Sequence, residues 1–240
     1  MKIPKIIHYC WFGNKPFPNS INRCMLSWRK FCSDFEIRCW DESNVYQYDS
    51  DFLKQALELG KWAFAADYIR LMALYDFGGI YLDTDVELIR SPLEFMENDV
   101  FLGFESCDKI STAVIGSSPE NSFIKTLAEE YSTRSLLLPN GNIDYTPNVV
   151  YFTQELVKRG MKTDNSLQTI DSITIYPCEF FSPKNLETGR IHITDNTCAI
   201  HHFCASWLPL KKRINTHIAQ IIGPKLTKLV KGMARRKNYE

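Results

Sequence analysis

Two carboxylates near the middle of this 240-residue sequence have a spacing that could support the binding of a metal ion. Asp83 and Asp85 directly follow the apolar residues 80–82, which the pattern predicts to form a buried strand. Two ionised carboxylates held so close repel each other, and burying them without a partner costs several kcal/mol, so a cation is the natural compensation. Mg²⁺ and Mn²⁺ suit oxygen ligands and keep coordination positions open for phosphate oxygens. The spacing therefore predicts a metal site, with a solvent-facing turn as the alternative.

A second Asp-x-Asp triplet, Asp49-Ser50-Asp51, provides an internal comparison. It lies in a polar stretch before a predicted helix, where capping and solvation explain its composition without any function. The triplet alone is therefore uninformative, and the strand before Asp83 is what distinguishes the first site.

Asp67 and Arg70 form a second candidate polar site. They lie three positions apart in a predicted helix over residues 62–77, which places them on one face of the helix, one turn apart. An ordinary ion pair on a helix contributes only about 0.3–0.5 kcal/mol and needs no function. Because most of this helix is apolar, we expect the pair to be partly buried and directed at a ligand.

The first forty residues predict a β-α-β unit that could position such sites. The pattern gives a strand over 5–12, a helix over 20–32 capped by Asn19 or Ser20, and a strand over 36–40. A crossover helix between two strands implies parallel pairing with a right-handed connection, hence an α/β fold. Ligands of such sheets gather beyond the carboxyl ends of the strands.

Further elements follow along the chain. Helices are predicted over 51–59, 62–77, 120–131 and 147–159. Strands are predicted over 80–82, 100–104, 112–115, 173–176 and 198–203. No repeat or low-complexity linker interrupts residues 1–210, so we predict one catalytic domain there and a separate tail over 211–240.

The composition excludes several classes of protein. With 45% hydrophobic and 13% aromatic residues, the chain is expected to be globular and not disordered. No uninterrupted apolar run reaches the length of a membrane-spanning helix, and the first residues lack the features of a signal peptide, so we expect a cytoplasmic location. Eight cysteines without a C-x-x-C pair are expected to be reduced and buried.

The tail over 211–240 differs in charge from the rest of the chain. It contains nine basic residues and one acidic residue, a net charge of +8, while the remaining 210 residues carry −8. Apolar residues recur in it at helical spacing, which predicts amphipathic segments. Peripheral docking on the anionic inner face of a membrane and packing on the tail's own domain are both open. Nucleic-acid binding is not expected because the main body is acidic and no reading motif occurs.

Several motifs in order along the chain resemble glycosyltransferase family 32, the sugar transferases named for an Asp-x-Asp motif. The resemblance covers most of the chain and rests on Ile3-Pro4-Lys5-Ile6-Ile7-His8 with Trp11, Trp40-Asp41, Ala66-Asp67 with Arg70, Gly78-Gly79-Ile80-Tyr81-Leu82-Asp83-Thr84-Asp85, and His201-His202-Phe203 with Ser206-Trp207. It implies a GT-A (Rossmann-like) α/β fold with a mostly parallel central sheet. It also implies a nucleotide-sugar donor, a divalent metal and retention of anomeric configuration.

The resemblance also implies roles for the charged residues. Asp85 would bind the metal directly, and Asp83 would reach the ribose or bind the metal through water. Asp67 and Arg70 would grip the donor sugar. As third metal ligand the resemblance favours His202, because its spacing to Trp207 is similar to that in related toxin transferases, and His201 stays open. Adjacent strand residues point to opposite faces, so at most one of the two can reach the ion.

The donor nucleotide would be held by the first strand. The candidates implied by the resemblance are His8, Tyr9, Trp11, Phe12 and, late in the chain, Trp207. An aromatic ring stacked on a base is worth about 1–3 kcal/mol in nucleic-acid binders. Core packing is the alternative for Tyr9 and Phe12, and Trp11 is the preferred platform.

The sequence therefore predicts a metal-dependent retaining glycosyltransferase (a hexosyltransferase) that uses Mn²⁺ or Mg²⁺. It would transfer a sugar from a nucleotide-sugar donor, a UDP-sugar being favoured, to a saccharide acceptor such as a lipid-linked one. A role in bacterial surface or capsular polysaccharide synthesis is expected, with the acceptor near residues 143–154. A metal-dependent phosphohydrolase or nucleotidyltransferase and a non-catalytic sugar-binding protein are the alternatives.

Overall fold

A seven-stranded mixed sheet with helices on both faces forms the centre of the protein. The computed structural model describes residues 2–186 and 188–204. The strands are β1 (Ile6–Cys10), β2 (Glu36–Trp40), β3 (Gly79–Leu82), β4 (Val86–Leu88), β5 (Val100–Ser106), β6 (Lys109–Ser117), β7 (Gln168–Ile170), β8 (Ile173–Tyr176) and β9 (Ala199–His201). The α-helices are α1 (Asn19–Phe31), α2 (Asp51–Glu58), α3 (Trp62–Phe77), α4 (Ser122–Thr133), α5 (Asn148–Lys158) and α6 (Cys178–Phe181), and a 3₁₀ turn covers Leu93–Phe95.

The order of strands in the main sheet is β2-β1-β3-β6-β5-β8-β7. The pairs β1–β2, β1–β3 and β5–β8 are parallel, and the pairs β3–β6, β5–β6 and β7–β8 are antiparallel. Since both β3 and β5 run opposite to β6, the strands β1, β3 and β5 all end at the same edge of the sheet. The expected α/β class is confirmed, and the sheet mixes the two kinds of pairing equally.

A small second sheet carries the chain away from that edge. After β3 the chain turns and β4 pairs with β9 in antiparallel register, with Val86 opposite His201. The helix α1 supports β4, because the indole N–H of Trp28 donates to the carbonyl of Val86 at 2.8 Å. The hydroxyl of Ser27 accepts from the amide of Leu88 at 2.9 Å. These bonds hold the segment that follows β3 beside the late strand β9.

Each face of the sheet has its own apolar core. On one face α2, α3, α4 and α5 cover the sheet, and on the other α1, α6 and the small sheet do so. The strand β3 contributes to both, because Tyr81 points into the first core while Ile80 and Leu82 point into the second. Burial on both faces explains why β3 reads as a continuous apolar run in the sequence.

The long elements agree with the sequence predictions, and the shortest elements were not anticipated. Helix α3 and strands β2 and β8 have the predicted bounds. No sequence pattern predicts the three-residue strands β4 and β7, the four-residue helix α6 or the 3₁₀ turn, because each is too short to show a period. The predicted side-chain cap of α1 is wrong: the helix follows Pro18 and has no side-chain cap.

All eight cysteines lie in the described ranges, and each is a free thiol. Within those ranges no helix has the length and apolar character needed to cross a membrane. The tail over 211–240, the domain boundary at 210 and Trp207 lie outside the described residues, so these predictions stay predictions.

Candidate active site

Two glycines place Asp83 and Asp85 by forcing a tight connection between α3 and β3. Gly78 and Gly79 have φ angles of 60° and 102°, a backbone region that side chains disfavour. A Cβ atom on Gly79 would lie 2.6 Å from the carbonyl oxygen of Ile6 in β1, and one on Gly78 would lie 2.7 Å from Pro119. Only glycine allows this close approach, so α3 stops at Phe77 and β3 starts without a loop.

The turn after β3 holds both carboxylates at the edge of the sheet. The amide of Asp83 donates to the carbonyl of Ala113 in β6 at 2.8 Å, and the amide of Val86 donates back to the carbonyl of Asp83 at 2.9 Å. Asp83, Asp85 and His201 each offer one ligand atom, and these atoms all lie within 4.8 Å of one another. The structure therefore brings together three groups from two distant segments that could hold one cation.

Asp85 is fixed by groups that favour its ionised form. One carboxylate oxygen accepts from the backbone amide of Cys204 at 2.7 Å, and the other lies 3.4 Å from Nε2 of His201. Burial alone would raise the pKa of Asp85, but the hydrogen bond and charge of His201 and the amide of Cys204 outweigh it and lower the pKa to about 2. Asp85 is therefore a carboxylate at neutral pH, as a metal ligand must be.

The two late histidines face opposite sides, as strand geometry requires. His201 is the residue whose ring lies beside Asp85. The ring of His202 lies instead 2.8 Å from a carboxylate oxygen of Glu87 in β4. The expectation that His202 joins the two aspartates therefore does not agree with the side-chain positions, and the open alternative, His201, occupies that place.

Arg70 connects the α3 pair to the first aspartate of the triplet. Its guanidinium donates to Asp67 at 2.9 Å and to the carbonyl of Thr112 at 2.7 Å, and it lies 3.4 Å from Asp83. It also lies over the ring of Tyr81, 4.5 Å from the ring centroid. The side chains of Arg70 and Asp67 are only 5% and 12% exposed. The expected partial burial of the pair is confirmed, and Arg70 is part of the same cluster as Asp83.

Asn148 is a member of this cluster that the sequence did not single out. Its amide nitrogen donates to Asp67 at 2.7 Å, and its amide oxygen accepts from the hydroxyl of Thr112 at 3.1 Å. Burial raises the pKa of Asp67 to about 7, although Arg70 and Asn148 act in the opposite direction. The sequence signal for Asn148 is its position within residues 143–154, where we predict the acceptor region.

His8 is placed in the interior and does not reach the edge where Asp85 lies. It has no exposed surface, its Nδ1 accepts from the indole N–H of Trp40 at 3.1 Å, and its Nε2 donates to the carbonyl of Gly78 at 2.7 Å. Burial lowers the pKa of His8 to about 4, so the ring is neutral. The ring links β1, β2 and the end of α3, a structural role that leaves no ring nitrogen for a nucleotide.

The aromatic residues of the first strand divide into core and surface. Tyr9 packs against Trp28 in the second core, and Phe12 stacks on Trp62 with ring centroids 6.5 Å apart. Both are buried, which favours the core-packing alternative for them. Trp11 is partly exposed beyond the end of β1, with its indole N–H bonded to the carbonyl of Lys15 at 2.7 Å. It is the one of the three that is partly exposed, and its ring packs against Phe17 with centroids 4.6 Å apart.

Comparison with known proteins gives this cluster a family context. Residues 18–102, which include Asp67, Arg70, Asp83 and Asp85, match the family model of the glycosyltransferase sugar-binding region containing the DXD motif. An uncharacterized glycosyltransferase of Acanthamoeba polyphaga mimivirus is 25% identical over 222 residues, 86% of this chain and 84% of the viral protein. Residues 18–102 therefore form a DXD-type glycosyltransferase sugar-binding region. The resemblance and the enzyme class predicted from the sequence are thereby confirmed.

Other relatives of this glycosyltransferase cover less of the molecule or are more distant. Inositol phosphoceramide mannosyltransferase 3 of Schizosaccharomyces pombe is 29% identical over 126 residues, 51% of this chain and 35% of the yeast protein. The solved PaToxG glycosyltransferase has a TM-score of 0.48 at 18% identity, over 65% of this chain and 69% of its own. A solved glycosyltransferase involved in glycosylation of the major capsid of PBCV-1 has a TM-score of 0.48 at 11% identity, over 89% and 100%.

Proposed function

We propose that this glycosyltransferase moves a sugar from a nucleotide-sugar donor to a saccharide acceptor, with a divalent cation held by Asp83, Asp85 and His201. The proposal depends on one observation: these three groups converge at the carboxyl end of β3, directly beside the buried pair Asp67 and Arg70. A cation site next to a fixed guanidinium suits a diphosphate and the sugar attached to it. A UDP-sugar and the GT-A type of α/β fold remain the favoured expectations.

The residues present fit a hard divalent cation. Two carboxylates supply oxygen ligands, Asp85 is ionised at neutral pH, and one imidazole adds a nitrogen. Since imidazole suits Mn²⁺ better than Mg²⁺, the donor set favours Mn²⁺ of the two predicted ions. A cation bound there would act as a Lewis acid that stabilises negative charge on the leaving diphosphate.

The side chains of the cluster do complementary work on the donor. Arg70 is held in place by Asp67, Thr112 and Tyr81, so its positive charge is preorganised beside the place of the diphosphate. Both Arg70 and Asn148 bond to the same oxygen of Asp67, which leaves the other carboxylate oxygen, Oδ2, without a hydrogen bond among the described residues. That oxygen can accept from a hydroxyl of the donor sugar. The ionised form of Asp67 would also stabilise the positive sugar ring in the transition state.

The proposal includes the stereochemistry of transfer, the acceptor and the biological role of the enzyme. Retention of configuration, transfer to a lipid-linked saccharide and a part in bacterial surface polysaccharide synthesis follow from the family resemblance. The yeast relative's name adds mannose as a sugar and an inositol phosphoceramide as an acceptor class to be tested. Docking of residues 211–240 on an anionic membrane surface, through their net charge of +8, would bring the enzyme to such an acceptor.

The donor test is slow hydrolysis of a panel of nucleotide sugars, measured as release of nucleoside diphosphate. The panel contains UDP-galactose, UDP-glucose, UDP-N-acetyl sugars and GDP-mannose, each with Mn²⁺, with Mg²⁺ and with excess chelator. We expect one donor to be cleaved with metal and not with chelator. Metal-independent cleavage, or no cleavage of any donor, would contradict the proposal. The anomeric configuration of a transferred sugar, read by NMR, tests retention.

Docking of residues 211–240 on an anionic membrane surface has a separate test, which uses the full chain. The assay is co-sedimentation with two kinds of vesicle, one of neutral lipid and one with about 30% anionic lipid, a surface that attracts basic segments. It compares the natural chain with a variant in which the lysines at positions 225, 228 and 231 are replaced by glutamine. Each lost charge should weaken binding to the anionic vesicles by about 1 kcal/mol, roughly fivefold. A matched variant with Lys2, Lys30 and Lys125 replaced by glutamine is expected to bind as the natural chain does. Equal binding by all three proteins would refute docking through the tail.

A further inference from the structure

A β-bulge at the end of β5 redirects one carboxylate toward the active-site cluster. In the β5–β6 hairpin Phe104 pairs with Ile110 and Ser106 pairs with Lys109, so Glu105 is an extra residue without a partner position. Bulges of this kind bend the strand and re-aim a side chain, and they occur often beside active sites. Because β5 ends at the same sheet edge as β3, Glu105 lies at the edge where Asp83 and Asp85 are found.

Among the described residues, the Glu105 carboxylate has no hydrogen-bond or ion-pair partner that would explain its place in the fold. It is partly buried and forms no hydrogen bond or ion pair with any of residues 2–186 and 188–204. The charged groups that face it are His201, Lys109 and Asp83, and burial raises its pKa. Its oxygens are not among the buried atoms without a partner, so they are open to a ligand that donates hydrogen bonds.

The order of strands separates Glu105 from the parts of the site already described. Trp11 follows β1, Asp83 and Asp85 follow β3, and His201 is the last residue of β9. Glu105 lies near the end of β5, two strands beyond β3. The beginning of β6 lies between them, and its carbonyls at Thr112 and Ala113 are occupied by Arg70 and the amide of Asp83. Glu105 is also not among the groups within 4.8 Å that could hold the cation.

We propose that Glu105 binds a hydroxyl group of the saccharide acceptor, and that the β5–β6 hairpin is therefore one wall of the acceptor subsite. The inference depends on the proposed transferase function. A carboxylate accepts hydrogen bonds and can accept two from neighbouring hydroxyls of a sugar, which is the ligand chemistry that this unpartnered group fits. The donor sugar is assigned to Asp67 and Arg70 on the other side of β6, so the side of Glu105 is left for the acceptor.

The test separates transfer to a saccharide from transfer to water. The donor found by the hydrolysis panel is incubated with Mn²⁺ and with methyl mannoside, methyl galactoside or myo-inositol as acceptor probes. Glu105→Gln should raise the KM for the accepted probe by about 10- to 100-fold, because a hydrogen bond to a charged group is lost. The rate of donor hydrolysis and the KM for the donor should change less than twofold.

Asp108→Asn is the matched control, because Asp108 lies in the turn of the same hairpin, is exposed and bonds only to the hydroxyl of Ser106 among the described residues. It removes the same charge and should leave both reactions unchanged. A Glu105→Gln variant with a normal KM for the probe, or with impaired donor hydrolysis, would overturn the acceptor assignment. A natural enzyme that hydrolyses no donor would instead overturn the transferase proposal and the Glu105 assignment with it. Thermal unfolding of each variant checks that the fold is retained.

Discussion

The buried histidine His8 makes a specific prediction about stability at acidic pH. In the folded protein its pKa is about 4, against 6.5 for an ordinary histidine, because burial disfavours the charged ring. The unfolded chain therefore binds a proton between these two values and the folded protein does not. The contribution of neutral His8 to the free energy of unfolding is therefore fully present above pH 6.5 and is lost as the pH falls toward 4.

The magnitude follows from the two pKa values. At pH 4.5 the unfolded chain is almost fully protonated at this position, and the folded protein is about one quarter protonated, which corresponds to about 2.5 kcal/mol of lost stability. Other groups titrate in the same range, and Asp67, whose pKa is raised to about 7, acts in the opposite direction. A comparison with a variant that lacks only the imidazole isolates the contribution of His8.

His8→Gln is the suitable variant, because its amide keeps a donor for Gly78 and an acceptor for Trp40. Urea unfolding followed by tryptophan fluorescence gives the free energy of unfolding of both proteins between pH 7.5 and 4.5. We expect the variant to be less stable at pH 7.5 and the difference to shrink by about 2.5 kcal/mol by pH 4.5. A difference that stays constant with pH would refute the assignment of a buried neutral ring.

Three further predictions concern the active site and its support. Asp85→Asn should lower the rate of transfer at least about 100-fold and weaken Mn²⁺ binding, measured by calorimetry. The control Asp51→Asn, from the other triplet, should have the transfer rate and Mn²⁺ affinity of the natural protein. Unaltered Mn²⁺ binding in Asp85→Asn would contradict the metal site. Asn148→Ala leaves the buried Asp67 carboxylate with one hydrogen-bond donor fewer. The free energy of unfolding in urea should therefore fall by about 1–3 kcal/mol, and kcat/KM should fall as well. A normal kcat/KM would count against a role of Asn148 in the active site. Gly79→Ala should lose more than about 2 kcal/mol of unfolding free energy, because its Cβ would meet a main-chain oxygen 2.6 Å away, whereas Gly141→Ala, with open space around it, should lose about 1.

The parts of the site that the sequence predicted are those determined by local pattern. The predicted helix over 62–77 has the bounds of α3, and the predicted strand over 80–82 begins one residue after the start of β3. The glycine pair between them is a strong local signal for the end of a helix. The i, i+3 spacing of Asp67 and Arg70 likewise determined that they share one face of a helix. The other Asp-x-Asp triplet also has its expected explanation, since the hydroxyl of Ser50 caps α2 by accepting from Leu53.

The parts that were missed depend on contacts between distant segments. Strand alternation shows only that one of His201 and His202 can face the metal, and the choice depends on the pairing of Val86 with His201. Asn148 reaches Asp67 across 81 positions of sequence, and no pattern around Asn148 indicates that approach. His8 stands next to aromatic residues at the end of a strand, and its role is decided by Trp40 and Gly78, which lie far along the chain.

The bond from the Cys204 amide to the Asp85 carboxylate has a consequence for everything that follows residue 204. That amide and the proposed cation would draw on the negative charge of the same side chain, so the two interactions would be thermodynamically linked. Reciprocity then requires that any event that loosens or tightens this attachment also changes the affinity for the ion by the same factor. In the proposed site, the position of the Cys204 amide and the affinity of Asp85 for the ion therefore change together.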